Sequence, residues 1–132
     1  MSKLFNKLNL KDQKEILVLN HPGFFDAELD KLPRIRILRD LKEVDSIDFA
    51  LAFVQSIEEI ERMTEYISGK VLGDPVIWFA YPKKTSKKYA VDINRDQGWN
   101  ALKKAGFKPV RQVAIDEDWS AIRFRRIERI GK

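Results

Sequence analysis

Four lysines and two hydroxyl residues lie within six positions, in the segment KKTSKK over residues 83–88. The segment follows an apolar run and Pro82, a pattern typical of a buried strand that stops at a proline. Backbone amides at a helix start attract anions, and lysine ammonium groups share that preference. The pattern therefore predicts a site for a small anionic ligand, phosphate-like or nucleotide-like. A solvated loop in a basic protein is the alternative.

Two aspartates and an arginine follow, in the sequence DINRD over residues 92–96. In a helix, Asp92 and Asp96 share one face, and Arg95 lies three positions after Asp92. The carboxylates could do acid–base work, or could cap and charge the first helical turn. The predicted ligand-binding set includes two residues near the C-terminus and consists of Lys83, Lys84, Ser86, Asp92, Arg95, Asp96, Trp119 and Ser120.

A second, weaker pattern follows the first two apolar runs. Gly23 comes after the first run, and Asp40 stands after the second, where an acid binds ribose hydroxyls in nucleotide-binding folds. The loop holds a single glycine, however, and Pro22 removes a backbone donor. Gly23 and Asp40 are therefore predicted cofactor contacts only under an alternative function, a shortened S-adenosylmethionine-dependent transferase with His21 or Asp92 near the chemistry.

Composition excludes several kinds of chemistry. The 132 residues include 25 Lys plus Arg, 20 Asp plus Glu, one His and no Cys. A chain without cysteine has no disulfide and no thiolate ligand, and one histidine cannot supply a multi-histidine metal centre. No apolar run reaches bilayer length, and no apolar signal core is present. We expect one cytoplasmic domain over 1–132 that has no metal or membrane partner and is a binding domain more readily than an enzyme. The sequence does not identify a cofactor.

The C-terminal region is basic. Arg123 and Arg125 alternate with Ile122 and Phe124, which indicates a strand with one solvated face. Such a hairpin could bind nucleic acid or a protein, although charges on an edge strand also prevent aggregation. The acidic residues 116–118 are expected to face water rather than a cation, and Trp119 either covers the crevice or packs on the sheet.

The apolar runs and turn residues predict the order of elements. Strands are expected over 15–20, 34–38, 47–54, 75–81, 110–115 and 121–127, and helices over 24–32, 57–69 and 93–105. Ser56 and Glu59 form a capping box for the second helix. Alternating strands and helices predict an α/β fold, a three-layer Rossmann-like sandwich whose mostly parallel sheet of about six strands ends in an antiparallel hairpin. Such a hairpin is typical of class I methyltransferases, here with one early β–α unit missing.

Three later motifs resemble a small bacterial family known as domain of unknown function 3052. They are WFAYPKKTS over 78–86, DINRD over 92–96 and IDEDWSAIRF over 115–124, and LVLN followed by PGF near the N-terminus is also similar. The resemblance covers nearly the whole chain and implies a shared fold but no activity. The segment between Ser86 and Asp92 is slightly longer here. The family pattern falls on Pro82, Lys83, Lys84, Ser86, Asp92, Arg95, Asp96, Asp116, Trp119 and Ser120.

Overall fold

The computed structural model describes residues 3–32, 34–40, 42, 45–71, 73–86, 93 and 98–130. Its strands are β1 (Glu15–Leu19), β2 (Arg36–Leu38), β3 (Phe49–Phe53), β4 (Val76–Pro82), β5 (Phe107–Ala114) and β6 (Trp119–Arg126). Its helices are α1 (Lys3–Lys7), α2 (Asp26–Leu29), α3 (Ile57–Ser68) and α4 (Asn100–Lys104). Short 3-10 turns lie at Gly23–Phe25 and Ile127–Arg129.

The six strands form one sheet in the order β2-β1-β3-β4-β6-β5. The first four are parallel, and β6 is antiparallel to both β4 and β5. This confirms the predicted Rossmann-like sheet with its C-terminal hairpin. The order β2-β1-β3-β4 is that of a doubly wound sheet from which one outer strand is missing. From β1, the chain adds β2 on one side and then β3 and β4 on the other, so the strand order reverses between β1 and β3.

The sheet buries an apolar cluster on each face. Along β4, Ile77 and Phe79 point to one face and Trp78 and Ala80 to the other. The first face is covered by Ile60 and Ile67 of α3 and by Leu102 of α4. The second face is covered by an N-terminal segment and by the region around α2, through Phe5, Leu8, Phe25 and Leu29. Helices on both faces make β1, β3 and β4 buried strands, which explains their continuous apolar runs.

The N-terminal helix α1 is not among the predicted elements. Phe5 and Leu8 are fully buried against the sheet, and the indole Nε1 of Trp78 donates to the Leu8 carbonyl at 2.7 Å. A helix of one turn is too short to show periodicity, and contacts to the sheet rather than helix propensity stabilise it.

The capping box of α3 differs by one residue from its prediction. The Ser56 hydroxyl accepts from the Glu59 amide at 3.1 Å, as expected. The Glu59 carboxylate, however, accepts from the Gln55 amide at 2.8 Å rather than from Ser56. The turn before α3 therefore places the Gln55 amide within reach of Glu59.

The ends of other helices and strands also differ from the predicted ones. The region predicted as a helix over 24–32 holds a 3-10 turn and the four-residue α2. Both hairpin strands begin earlier than predicted, at Phe107 and Trp119. Gly106 has a φ of 89° after α4, as expected of a helix-ending glycine. Asp92 and Asp96, which could cap and charge the predicted helix, lie outside the described residues.

Candidate functional site at the carboxyl edge of the sheet

The carboxyl ends of the parallel strands meet at one edge of the sheet. The loops after β1, β2, β3 and β4 lie there, and so does the hairpin loop, because Pro82 at the end of β4 pairs with Trp119 at the start of β6. In open α/β sheets, ligands bind at this edge beside the point where the strand order reverses. In this chain that point lies between β1 and β3.

Asn20 lies where the strand order reverses between β1 and β3, here called the switch point. Its side-chain Nδ2 donates to the Phe53 carbonyl at the end of β3 at 3.1 Å, and to Oε2 of Glu59 at 2.8 Å. The backbone φ of Asn20 is 59°, a left-handed conformation that asparagine tolerates better than most residues. Asn20 thus joins β1 to β3 and α3, and the Glu59 carboxylate accepts from both Asn20 and the Gln55 amide.

His21 lies beside Asn20 and is bonded to an acid. Its Nε2 is 2.9 Å from Oδ1 of Asp26, and the His21 side chain is only 13% exposed. Arg39, after β2, approaches the same Asp26 oxygen at 3.9 Å. The carboxylate of Asp26 therefore connects the loops after β1 and β2. Phe24 is 44% exposed at this edge, in edge contact with Phe25.

Asp40 is exposed in the loop after β2. Its Oδ1 accepts from the Lys42 amide at 3.0 Å, a bond that orients the side chain. Gly23, the other predicted cofactor contact, is exposed, and a Cβ added there would meet nothing within 4 Å. Position 23 therefore has room for a side chain, and packing against the described residues does not require a glycine there.

The lysine segment contacts the acidic hairpin loop. The Lys83 amide donates to the Asp118 carbonyl at 2.7 Å, and the Ser86 hydroxyl donates to Asp118 Oδ1 at 2.8 Å. Oδ1 of Asp116 accepts from the amides of Asp118 and Trp119, both at 2.8 Å. Asp116 therefore shapes the turn, and carboxylates lie beside the predicted anion site. That Lys83, Lys84 and Ser86 bind an anion stays a prediction.

The two predicted ligand contacts of β6 are buried. Trp119 is 1% exposed and stacks edge-on against Phe53 at 5.3 Å between ring centroids, so it packs on the sheet. The Ser120 hydroxyl donates to the Val113 carbonyl and accepts from Gln112. Their role as ligand contacts stays a prediction. Three further predicted contacts, Asp92, Arg95 and Asp96, lie outside the described residues, as do Lys87 and Lys88 of the lysine segment.

The residues that meet at the switch point were missed by sequence reasoning. Asn20 and Glu59 are 39 positions apart, and Asp26 was not singled out. A detectable signal was present for one of them, since an asparagine directly after a buried strand is typical of a left-handed turn position. The Glu59 contact required knowledge that β1 and β3 are neighbours.

Other features of the described residues lie away from this edge. A cleft of about 440 Å³ lies between α3 and α4, and another of about 520 Å³ lies at the amino edge, lined by residues that include Asp12, Asp48 and Asp74. In the part of the chain that the structure describes, no three acidic or histidine side chains form a metal-ion cluster. None of the described helices is long and apolar enough to span a bilayer.

Several solved structures, methyltransferases among them, have a similar fold. A SAM-dependent methyltransferase from Aquifex aeolicus has a TM-score of 0.68 and 13% identity, over 95% of this chain and 88% of that one. The N-methyltransferase NodS from Bradyrhizobium japonicum has a TM-score of 0.58 and 11% identity, over 93% and 92%. LepI in complex with SAM has a TM-score of 0.58 and 12% identity, over 94% of this chain and 39% of LepI. No family model and no curated protein matches the chain.

Proposed function

We propose that the carboxyl edge between β1, β2 and β3 binds a nucleoside ligand of the S-adenosylmethionine class, as in a shortened S-adenosylmethionine-dependent transferase. The observation that carries the proposal is the strand order, which reverses between β1 and β3 and brings their polar carboxyl ends together. The similar folds of SAM-dependent methyltransferases support it.

The residues at this edge fit the nucleoside half of such a ligand. Asp40 is exposed and oriented by the Lys42 amide, so its carboxylate can accept hydrogen bonds from ribose hydroxyls. Phe24 supplies an exposed aromatic ring on which a base can stack. S-adenosylmethionine, when bound, would supply an activated methyl group, and the chain's own residues would hold the ribose and base.

The loop after β1 does not fit the glycine-rich pattern of such sites. It reads Asn20-His21-Pro22-Gly23, and the Asn20 side chain is already bonded to Phe53 and Glu59. Close backbone approach to a ligand needs small residues with free amides, which Pro22 lacks. The proposal therefore concerns binding through the ribose and the base, and adenosine should bind about as well as the whole cofactor.

Calorimetric titration with S-adenosylmethionine, S-adenosylhomocysteine and adenosine tests the proposal. Asp40→Asn keeps an oxygen for the Lys42 amide but removes the charge, so we expect binding about tenfold to a hundredfold weaker, the loss expected for hydrogen bonds to a charged group. Asp12→Asn is the matched control, because Asp12 is exposed at the opposite edge of the sheet. Absence of saturable binding to all three compounds, or equal binding by the two variants, would contradict the proposal. Binding of inorganic phosphate instead, lost in Lys84→Ala, would favour the anionic-ligand alternative.

A further inference from the structure

The C-terminal hairpin concentrates positive charge on one sheet face. Lys108 lies directly opposite Arg125, and Arg111 lies directly opposite Arg123. Directly opposed residues of an antiparallel pair project to the same face, and Arg123 and Arg125 share a face because they are two positions apart. The four side chains therefore form one patch, here called the cationic hairpin face: Lys108, Arg111, Arg123 and Arg125.

This arrangement costs stability within the fold. Like charges directly opposite each other destabilise a strand pair, and this hairpin has two such pairs in succession. Arg123 is half-buried, and its buried Nε has no hydrogen-bond partner among the described residues. Burial first, and then repulsion from Arg125, lower the pKa of Arg123. A ligand that supplies negative charge would relieve the repulsion between these cations.

Protection of a sheet edge explains only part of the patch. Lys108 and Arg111 belong to β5, which is an edge strand, and edge charges prevent pairing with another chain. Arg123 and Arg125 belong to β6, which is hydrogen-bonded on both sides by β4 and β5. Charges on an interior strand do not protect an edge, so edge protection explains neither Arg123 nor Arg125.

Among the described residues, an acidic side chain forms an ion pair with one of the four cations, Arg125. Asp74, before β4, accepts from both Nε and Nη2 of Arg125, at 3.2 and 2.5 Å. Glu128 is exposed in the turn after β6. Asp74 also lines the acidic cleft at the amino edge of the sheet. The pair formed by Arg111 and Arg123 lies farther from that edge than the pair formed by Lys108 and Arg125.

We propose that the cationic hairpin face binds the phosphodiester backbone of double-stranded nucleic acid. Arginine guanidinium groups bind phosphate oxygens bidentately, and rows of cations about 7 Å apart along a strand suit a ligand with repeating charge. Among the exposed large hydrophobic side chains, only Val110 lies in the hairpin strands, so the face offers no aromatic ring for stacking single-stranded bases. The contact is therefore to the backbone and independent of sequence. It is also independent of the ligand proposed at the carboxyl edge.

Fluorescence anisotropy with short labelled DNA and RNA duplexes tests this inference. Three cations that form no ion pair with Asp74, namely Lys108, Arg111 and Arg123, predict a slope of about −2.7 for log K against log salt, or about 40-fold weaker binding between roughly 50 and 200 mM salt. Both duplexes should bind, because both present the phosphate backbone. Arg111→Gln should reduce the slope by about 1.

Arg36→Gln is the matched control, because Arg36 is exposed on β2, the edge strand at the other end of the sheet. It removes the same charge and should leave the slope unchanged. Circular dichroism verifies that both variants are folded, and Lys108→Gln provides a second exposed position. The inference is overturned by absence of duplex binding at low salt, by equal losses in the Arg36 and Arg111 variants, or by Arg111-dependent binding to phosphatidylserine vesicles that exceeds duplex binding.

Discussion

Asn20 connects two strands and a helix at the carboxyl edge of the sheet. It adopts a left-handed φ of 59° and donates two hydrogen bonds, to β3 and to α3. In folds with a glycine-rich loop, the same position leaves space for a ligand. Here a carboxamide joins the strands instead, which exchanges ligand space for a direct connection across the switch point.

The Asn20 contacts can be measured through stability. Asn20→Ala removes both donated bonds and places alanine in a left-handed conformation, whereas Asn9→Ala changes only a residue of similar φ, 67°. We expect Asn20→Ala to lower the free energy of unfolding by about 1 to 2 kcal/mol more than Asn9→Ala does. Urea denaturation of the two variants measures the difference, and equal losses would mean that the carboxamide bonds contribute nothing.

The helix α3 carries the strongest local signal in the chain. Its N-cap Ser56 has extended backbone dihedrals, and the side chain accepts from the Glu59 amide. The sequence predicted this element to within one residue at each end because a capping serine, an apolar stripe and a following glycine all act on near neighbours. The hairpin strands were predicted less well, since their ends depend on the pairing of β6 with β4 and with β5.

Removal of the cap tests the contribution of that signal. Ser56→Ala should lower the free energy of unfolding by about 1 kcal/mol, because an amide at the start of α3 loses its acceptor. Ser56→Thr keeps a hydroxyl and should recover most of the loss. Chemical denaturation and the helical signal in circular dichroism measure both variants, and an unchanged midpoint for Ser56→Ala would show that the cap is dispensable.

Across the whole molecule, the hairpin is joined to the parallel strands by an ion pair between distant residues. Asp74 and Arg125 are 51 positions apart, and the hydrogen bond from Arg125 is the largest cause that lowers the pKa of Asp74. A carboxyl group with a lowered folded-state pKa stabilises the protein above its unfolded pKa, and this contribution is lost as pH falls through the folded value. The ion pair should therefore contribute at neutral pH and lose its effect in acid.

The pH dependence of unfolding measures that ion pair. Asp74→Asn should lower the denaturation midpoint at about pH 7, and the difference from wild type should shrink as the pH falls from about 4, the ordinary pKa of an aspartate, through the lowered pKa of the folded Asp74. Asp12→Asn, at the same edge of the sheet, is the control. A difference between wild type and Asp74→Asn that stays constant from neutral to acid pH would contradict the assignment.

Apolar runs, a capping serine and a glycine after the last helical residue were sufficient to predict six strands, α3, the end of α4 and the Rossmann-like architecture. These signals are local, since each depends on residues within a few positions of one another. The N-terminal helix α1 was not predicted because its stability depends on contacts with Trp78 and the sheet, which are distant in sequence. The meeting of Asn20 with Glu59, of Ser86 with Asp118, and of Arg111 with Arg123 was decided by the tertiary structure alone. Which strands become neighbours depends on how the two apolar faces of the sheet are buried, and that burial is a property of the folded chain rather than of any segment.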